Sequence, residues 1–275
     1  MADTSRIQTT RYMLSFVRAS ALCLCGPLLL SAPLGALAQP LARDSVGGPV
    51  LPFPVGEVLD YRVNVSFGGN IGQGQMRVEG PVMERGVVTW RLVSEMKAKR
   101  AFVKATDRTV SWLDPLRFAS IRFEKVERHP LSNSEELVEI DAAAGTYREA
   151  KGDPRTLGST VPLDELSFLY FLRTLPIDQD GSYHFNRHFD EARNPTMVSV
   201  GGEETVDTPV GSFTTRVVIM HVRDPKHYKG VGLIKLNIDT SVCRLPVRIV
   251  SRMPIVGTTT LTLVGRTHPD NRCEP

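Results

Sequence analysis

From residue 53 onward the chain alternates apolar and polar side chains in runs broken by glycine and proline. In "EVLDYRVNVSF", Leu59, Tyr61, Val63, Val65 and Phe67 fall on one side, and Asp60, Arg62, Asn64 and Ser66 on the other. A period of two marks a half-buried strand, and Gly68-Gly69-Asn70 then turns the chain into a hairpin partner. Val88, Trp90, Leu92 and Met96 outline another long strand, followed by strands in "FASIRFEKVERH" and "SEELVEIDA". "GTYREAKGDPRTLGST" is rich in glycine and small polar residues and predicts a loop. Further strands are predicted in "GSYHFNRHFD", "PTMVSVGGEETVDT", "GSFTTRVVIMHVR", "VGLIKLNIDT", "LPVRIVSRM" and "GTTTLTLVGR". Short strands between turn signals over this length predict an antiparallel sandwich or barrel.

One stretch breaks the pattern. "PLDELSFLYFLRTLP" (162–176) places eight large apolar side chains within the thirteen positions 163–175. Thr160 or Asp164 can cap a helix there, Pro162 suits a first turn and Pro176 ends it. Leu166, Leu169 and Leu172 share one helical face while Phe168, Tyr170 and Phe171 spread around the rest. A helix apolar on all sides is buried. The expected fold is therefore all-β with one buried helix: an antiparallel, strongly curved sheet or barrel-like sandwich wrapping a short helix near residues 163–175.

The first 38 residues do not belong to that fold. Arg6, Arg11 and Arg18 precede an apolar stretch from Ala19 to Leu34, and Ala36-Leu37-Ala38 supplies the small residues of a secretory cleavage site. Pro27 and Pro33 interrupt what a membrane anchor would need unbroken over roughly 20 residues. Cys23 and Cys25 lie inside this stretch, but Leu22 and Leu24 stand where lipidation needs a small residue. Cleavage after Ala38 is expected, giving an exported, periplasmic protein that begins at Gln39. The expected organisation is a signal peptide (1–38), a flexible lead-in (39–52), one β-rich domain (53–267) and a C-terminal tail (268–275).

Removing 38 of 275 residues leaves 237, enough for one large β domain. The leader holds three of the 33 basic and one of the 30 acidic residues, so the remainder carries 30 against 29, a net charge of +1. Such a balance gives no electrostatic footprint for nucleic acid. No later run is long enough for a transmembrane helix. Cys243 and Cys273 remain, and in an exported chain two thiols are expected to pair. That bond closes a loop of about 30 residues and contributes roughly 3–4 kcal/mol.

Three stretches together resemble a known family. "PFPVGEVLDYRVNVSFGGNIGQGQMRV", "LDELSFLYFLRTLP" with Ser167 and Arg173 at its polar positions, and "TPVGSFTTRVVI" with "CRLPVRIVSRMPIVGTTTLTLV" are similar to the exported bacterial proteins of uncharacterised-domain family 3108. The resemblance covers roughly residues 52–267 and implies an exported, β-rich envelope protein. It carries no established activity and hence no catalytic residues, and the Cys243–Cys273 pair is not part of it.

Candidate chemistry is sparse. His184 and His188 lie about 13 Å apart on a strand at 3.3 Å per residue, too far to share a metal, and are expected on a solvent face. Asp190, Glu191, Glu203, Glu204 and Asp207 can supply a carboxylate pair for glycoside hydrolysis, although Glu203-Glu204 follows two glycines in an expected turn. "HVRDPKHYKGVGLIK", with His221, His227 and Tyr228, is a locally basic loop. No nucleophile elbow, HExxH, P-loop or dinucleotide fingerprint is present, so no catalytic, metal or cofactor residues are assigned. Arg173 stands out because a guanidinium within an apolar helix needs a partner. It either complements the helix C-terminus or anchors a ligand head group. The expected function is a non-enzymatic envelope protein that binds a lipid or other hydrophobic small molecule, or acts as an assembly factor. The alternative is a periplasmic hydrolase of envelope polysaccharide or lipid.

Overall fold

The structure, a computed structural model, describes residues 50–65, 69–100, 103–129, 132–226, 229–253 and 257–269. The expected leader with Cys23 and Cys25, and most of the expected lead-in, lie outside these residues. Eight strands come first: β1 (Val58–Val65), β2 (Gly69–Glu84), β3 (Val87–Arg100), β4 (Val103–Asp114), β5 (Ala119–His129), β6 (Ser132–Asp141), β7 (Thr146–Glu149) and β8 (Arg155–Thr156). The helix α1 (Glu165–Leu172) follows. Six more strands complete the fold: β9 (Gly181–Phe185), β10 (Thr196–Thr208), β11 (Gly211–Arg223), β12 (Val231–Asp239), β13 (Pro246–Met253) and β14 (Gly257–Thr267).

All fourteen strands form one antiparallel sheet in the order β8-β7-β6-β5-β4-β3-β2-β1-β14-β13-β12-β11-β10-β9. Each half is a meander of sequential neighbours, and the pairing of β1 with β14 joins the halves. The sheet is not closed, and its two free edges, β8 and β9, are the strands that flank α1 in sequence. Leu59, Tyr61 and Val63 of β1, Leu92 of β3, Leu113 of β4, Val218 of β11 and Leu236 of β12 share one core with Leu166, Phe168, Tyr170 and Leu172 of α1. Strands remote in the sheet order meet around the helix because the sheet rolls about it. The expected curved sheet around a buried helix is what the chain forms.

The segment that crosses between the two edges is fixed by its own backbone. Ser120 N–H donates to Pro162 O (2.8 Å), and Phe189 N–H donates to Leu163 O (3.0 Å). These bonds use the peptides on either side of Leu163, so the helix starts later than residue 163. Asp164 is its cap. Its Oδ1 accepts from Leu166 N and Ser167 N (2.9 Å each), and Ser167 Oγ accepts from Asp164 N (2.9 Å). Ser111 Oγ donates to Asp164 Oδ2 (2.5 Å) and Ser120 Oγ to Ser167 Oγ (2.8 Å). The buried polar groups beneath the helix start are thus satisfied.

Three elements depart from the sequence pattern. β4 shows no clean alternation because both faces are covered: Val110 and Trp112 join an outer cluster with Val93, while Ser111 meets Asp164 inside. β7 and β8 form within the expected loop, with Tyr147 buried against Phe189. The strand expected over "GSYHFNRHFD" stops at Phe185, and the chain then pairs with Leu163 at His188. On the face away from α1, strands β2–β5 carry the ion pairs Arg77–Glu79, Arg77–Glu95, Arg91–Glu79 and Arg122–Glu124. That surface is not the apolar band with which a transmembrane barrel meets lipid. No helix among the described residues is long and apolar enough to cross a membrane.

Leu172 is fully buried, whereas Leu169 is only partly so. Leu172→Ala is expected to cost about 2–5 kcal/mol and Leu169→Ala distinctly less, both read from urea unfolding. Near-wild-type stability for Leu172→Ala would refute a helix that acts as a core element.

Candidate functional site

A cavity of about 230 Å³ lies between α1 and the two halves of the sheet. Leu166, Phe168 and Leu169 supply one wall and Met220, Val222 and Ile234 the other. Ser94 and Thr109, paired neighbours on β3 and β4, add two hydroxyls. Leu169 lines this space, which explains why it is less buried than the leucines on either side of it.

Glu165, His188 and Arg193 close one end of the cavity. Arg193 donates through Nη1 to Glu165 Oε1 and through Nη2 to Asp224 Oδ2, and its own exposure is slight. Burial opposes its charge, but Glu165 and Asp224 more than offset this and raise its pKa. Burial likewise opposes ionisation of Glu165, yet Arg193, with His188 and Lys125, draws its pKa down to about 2. Glu165 Oε2 is buried and has no hydrogen-bond partner among the described residues. His188 Nδ1 accepts from Asp190 N–H (3.0 Å), while Arg193 Nη1 lies 3.0 Å from Nε2. Two donors thus face a ring that has a single lone pair when neutral, and a proton would leave none. Burial, reinforced by Arg193, lowers the His188 pKa to about 4 despite the opposing pull of Glu165.

Arg173 occupies a different place, at the far end of α1, with its side chain 1 % exposed. Nη1 and Nη2 donate to the two oxygens of Glu57 (2.6 Å each), Nη2 also to the carbonyls of Pro52 and Cys243 (3.0 Å each), and Nε to that of Arg244 (3.0 Å). Phe53 and Tyr170 pack their rings against the guanidinium at 5.1 and 5.5 Å. Burial works against this charge, and Glu57 outweighs it, so the pKa is raised. Every nitrogen of the guanidinium donates within the chain, to groups other than the helix's own carbonyls. The side chain therefore neither caps the helix nor lines the cavity. A second guanidinium, Arg187, grips the opposite end of the helix segment through the carbonyls of Val161 and Phe118 and packs over Phe171.

The remaining candidates are scattered. His184 is exposed on β9 as expected, but His188 is buried at 5 % exposure, because the chain leaves the strand there and turns beneath the sheet. Asp190 caps a short 3-10 turn (Glu191–Arg193) by accepting from Ala192 N. Glu203 and Glu204 lie in β10 rather than in a turn, at a register shift after Gly201, and Glu204 is held by Lys235 and Asn237. Asp207 accepts from Ser212. His221 belongs to β11 and lines the cavity together with His188, while His227 and Tyr228 lie outside the described residues. Cys243 is buried beside Arg173, and Cys273 lies outside the described residues. Among the described residues no three His, Cys, Asp or Glu side chains are grouped to hold a metal. Sequence reasoning did not find Glu165, Arg193 or Glu57, because no spacing rule links residues 28 or 116 positions apart.

Two outcomes follow from these charges. Arg173→Met strands the buried Glu57 carboxylate and is expected to cost about 3–5 kcal/mol. A loss under about 1 kcal/mol, together with lost ligand binding, would instead fit a head-group anchor. The second outcome concerns pH. Because the folded pKa of His188 lies below the unfolded value of about 6.5, its contribution is complete above that pH and is lost as pH falls towards 4. Asp164 runs the other way: burial raises its pKa to about 6, so its contribution is complete below about 3.9 and is lost as pH rises through 6. The two oppose one another between pH 4 and 6.5. His188→Gln should therefore make stability fall with rising pH across that window, and Asp164→Asn should make it rise, each by up to about 3 kcal/mol. Urea midpoints measured at several pH values check both signs.

Comparison with known proteins agrees with this fold. No curated protein matches the chain. Among solved structures, a beta-barrel-like protein of domain of unknown function DUF1849 from Brucella abortus superposes with a TM-score of 0.52 at 12 % identity, covering 81 % of this chain and all of that one. At that identity the likeness speaks for the fold alone. A family model described as a protein of unknown function, DUF3108, matches residues 60–264. This chain, with its rolled fourteen-stranded sheet around α1, belongs to the DUF3108 family.

Proposed function

We propose that this is an exported cell-envelope protein, without catalytic activity, that holds an apolar or amphipathic small molecule between its helix and its sheet. The observation that carries this reading is the cavity of about 230 Å³, whose lining combines apolar side chains of α1, β11 and β12 with a few polar groups, the ion-paired Glu165 and Arg193 among them. Binding sites for small molecules combine these features: apolar walls for affinity and a few placed polar groups for orientation. The volume is below the roughly 300 Å³ at which drug-sized sites begin, so it suits a ligand smaller than a typical drug. Export is supported by the arginine-led apolar segment and the Ala36-Leu37-Ala38 cleavage pattern. The Cys243–Cys273 disulfide belongs to the same proposal. Arg173 holds the Cys243 carbonyl, and its partner Glu57 lies 3.5 Å from His268, five residues before Cys273.

A hydrolase is the second reading, and one observation favours it. The Glu165 carboxylate acts on Glu136, and the two shift in opposite directions. Burial raises Glu136, while Arg193, against burial, lowers Glu165. Separated carboxyl pKa values are what an acid and its partner need. Hydrolysis of a model ester or glycoside that disappears in Glu136→Gln would establish this reading.

Two measurements test the carrier. Leu169→Trp fills the cavity and is expected to abolish binding of the neutral apolar probe N-phenyl-1-naphthylamine while leaving the circular dichroism spectrum unchanged. Equal binding by both proteins would overturn the reading. The intact mass of protein recovered from the periplasm is expected to correspond to a start at Gln39, unchanged by alkylation under denaturing, non-reducing conditions. Retention of residues 1–38 would exclude the cleavage, and alkylation of both thiols would exclude the disulfide.

A further inference from the structure

We infer that the cavity selects an apolar chain that ends in a cationic hydrogen-bond donor, an ammonium, over one that ends in a carboxylate. This rests on the carrier reading and concerns the polar end of the same cavity. The groups there are unequally matched. Arg193 is engaged at both terminal nitrogens, by Glu165 and by Asp224. Its guanidinium is therefore not open to an anionic head group, which would have to displace a buried carboxylate to reach it.

The neighbouring lysines do not change this balance. Lys125 is paired with Glu127 (2.8 Å) and Lys226 with Glu149 (2.7 Å). Among the described residues that act on Glu165, the one guanidinium, Arg193, is shared between two carboxylates. Arg223 also lines the cavity, but it is exposed and alternates along β11 with the inward Val222, so it does not share the buried end held by Arg193.

One acceptor there is incomplete. Glu165 Oε2 is buried without a hydrogen-bond partner, although Oε1 is bound to Arg193. A buried carboxylate oxygen without a donor is costly, and a ligand N–H that reaches it removes the deficit. The hydroxyls of Ser94 and Thr109 also line the cavity and can accept further N–H groups. A carboxylate head brings no donor, and it places a like charge beside Glu165. A hydroxyl head brings one donor and no charge, so it should fall between the two.

Three ligands with the same eight-carbon chain separate these cases: octylammonium, 1-octanol and octanoate, each displacing N-phenyl-1-naphthylamine from the full-length mature protein at pH 7. The amine is charged at that pH, like a lysine side chain. Octylammonium is expected to bind at least about tenfold more tightly than octanoate, with octanol between them. Glu165→Gln should shrink that preference to within about threefold. Leu169→Trp should remove binding of all three, which excludes attachment of the amine to an outside acidic patch. If all three bind equally, or octanoate binds best, this inference is overturned and the carrier reading stands. If none of them displaces the probe, the carrier reading falls and the inference with it. The comparison on the unsubstituted protein decides the matter even if Glu165→Gln fails to fold.

Discussion

The buried pair of Arg173 and Glu57 is the contact on which the arrangement of the chain depends. A guanidinium and a carboxylate removed from water lose far more hydration than an exposed pair. They are tolerated only where geometry and further hydrogen bonds are good. Here Glu57 receives two bonds from Arg173, and the carbonyls of Pro52, Cys243 and Arg244 complete the set. These groups come from the segment before β1, the end of α1 and the turn between β12 and β13. The pair therefore fixes the start of the sheet, the helix and the C-terminal half at one point. It also draws His268, just past β14, to the same place.

The rolled sheet creates the second constraint. A sheet whose two edge strands flank a helix in sequence can bury that helix only by curling around it. The helix carries apolar groups on all sides, so both halves of the sheet contribute to one core. At the Asp164 end, polar side chains replace apolar ones. Serines from β4 and β5 satisfy the helix cap, and Arg187 binds two carbonyls of the connecting backbone. The cavity lies where this polar end meets the apolar wall. A site with a greasy chain on one side and oriented charges on the other follows from that junction, not from any local motif.

The charges in this region also couple the site to protonation. His188 must remain neutral because burial disfavours its charge and two N–H donors already face its ring. Asp164, beneath the helix, is instead pushed towards its protonated form by burial, although the hydroxyl of Ser111 and the helix N–H groups resist. The two groups belong to elements on either side of Leu163. Acidification therefore stresses one side of the helix start while relieving the other.

The sequence by itself determined the class of fold. The alternation in β1 and the apolar run of α1 are local consequences of which face is buried, and both are visible without coordinates. It also marked Arg173 as a residue in need of a partner, because a charge within an apolar helix is a local contradiction. Only the tertiary structure decided what that partner is, since Glu57 lies 116 positions away, just before β1, where the pattern gives no sign of it. The same holds for β4, whose mixed faces depend on contact with Asp164 inside and with Val93 outside. It holds for His188, which the alternation placed on a solvent face and the turn after Phe185 carried inward. Local periodicity reports how each segment divides its own side chains between water and core. The cavity and its ion pairs are built from segments that meet only when the sheet rolls, and rolling is a property of fourteen strands together.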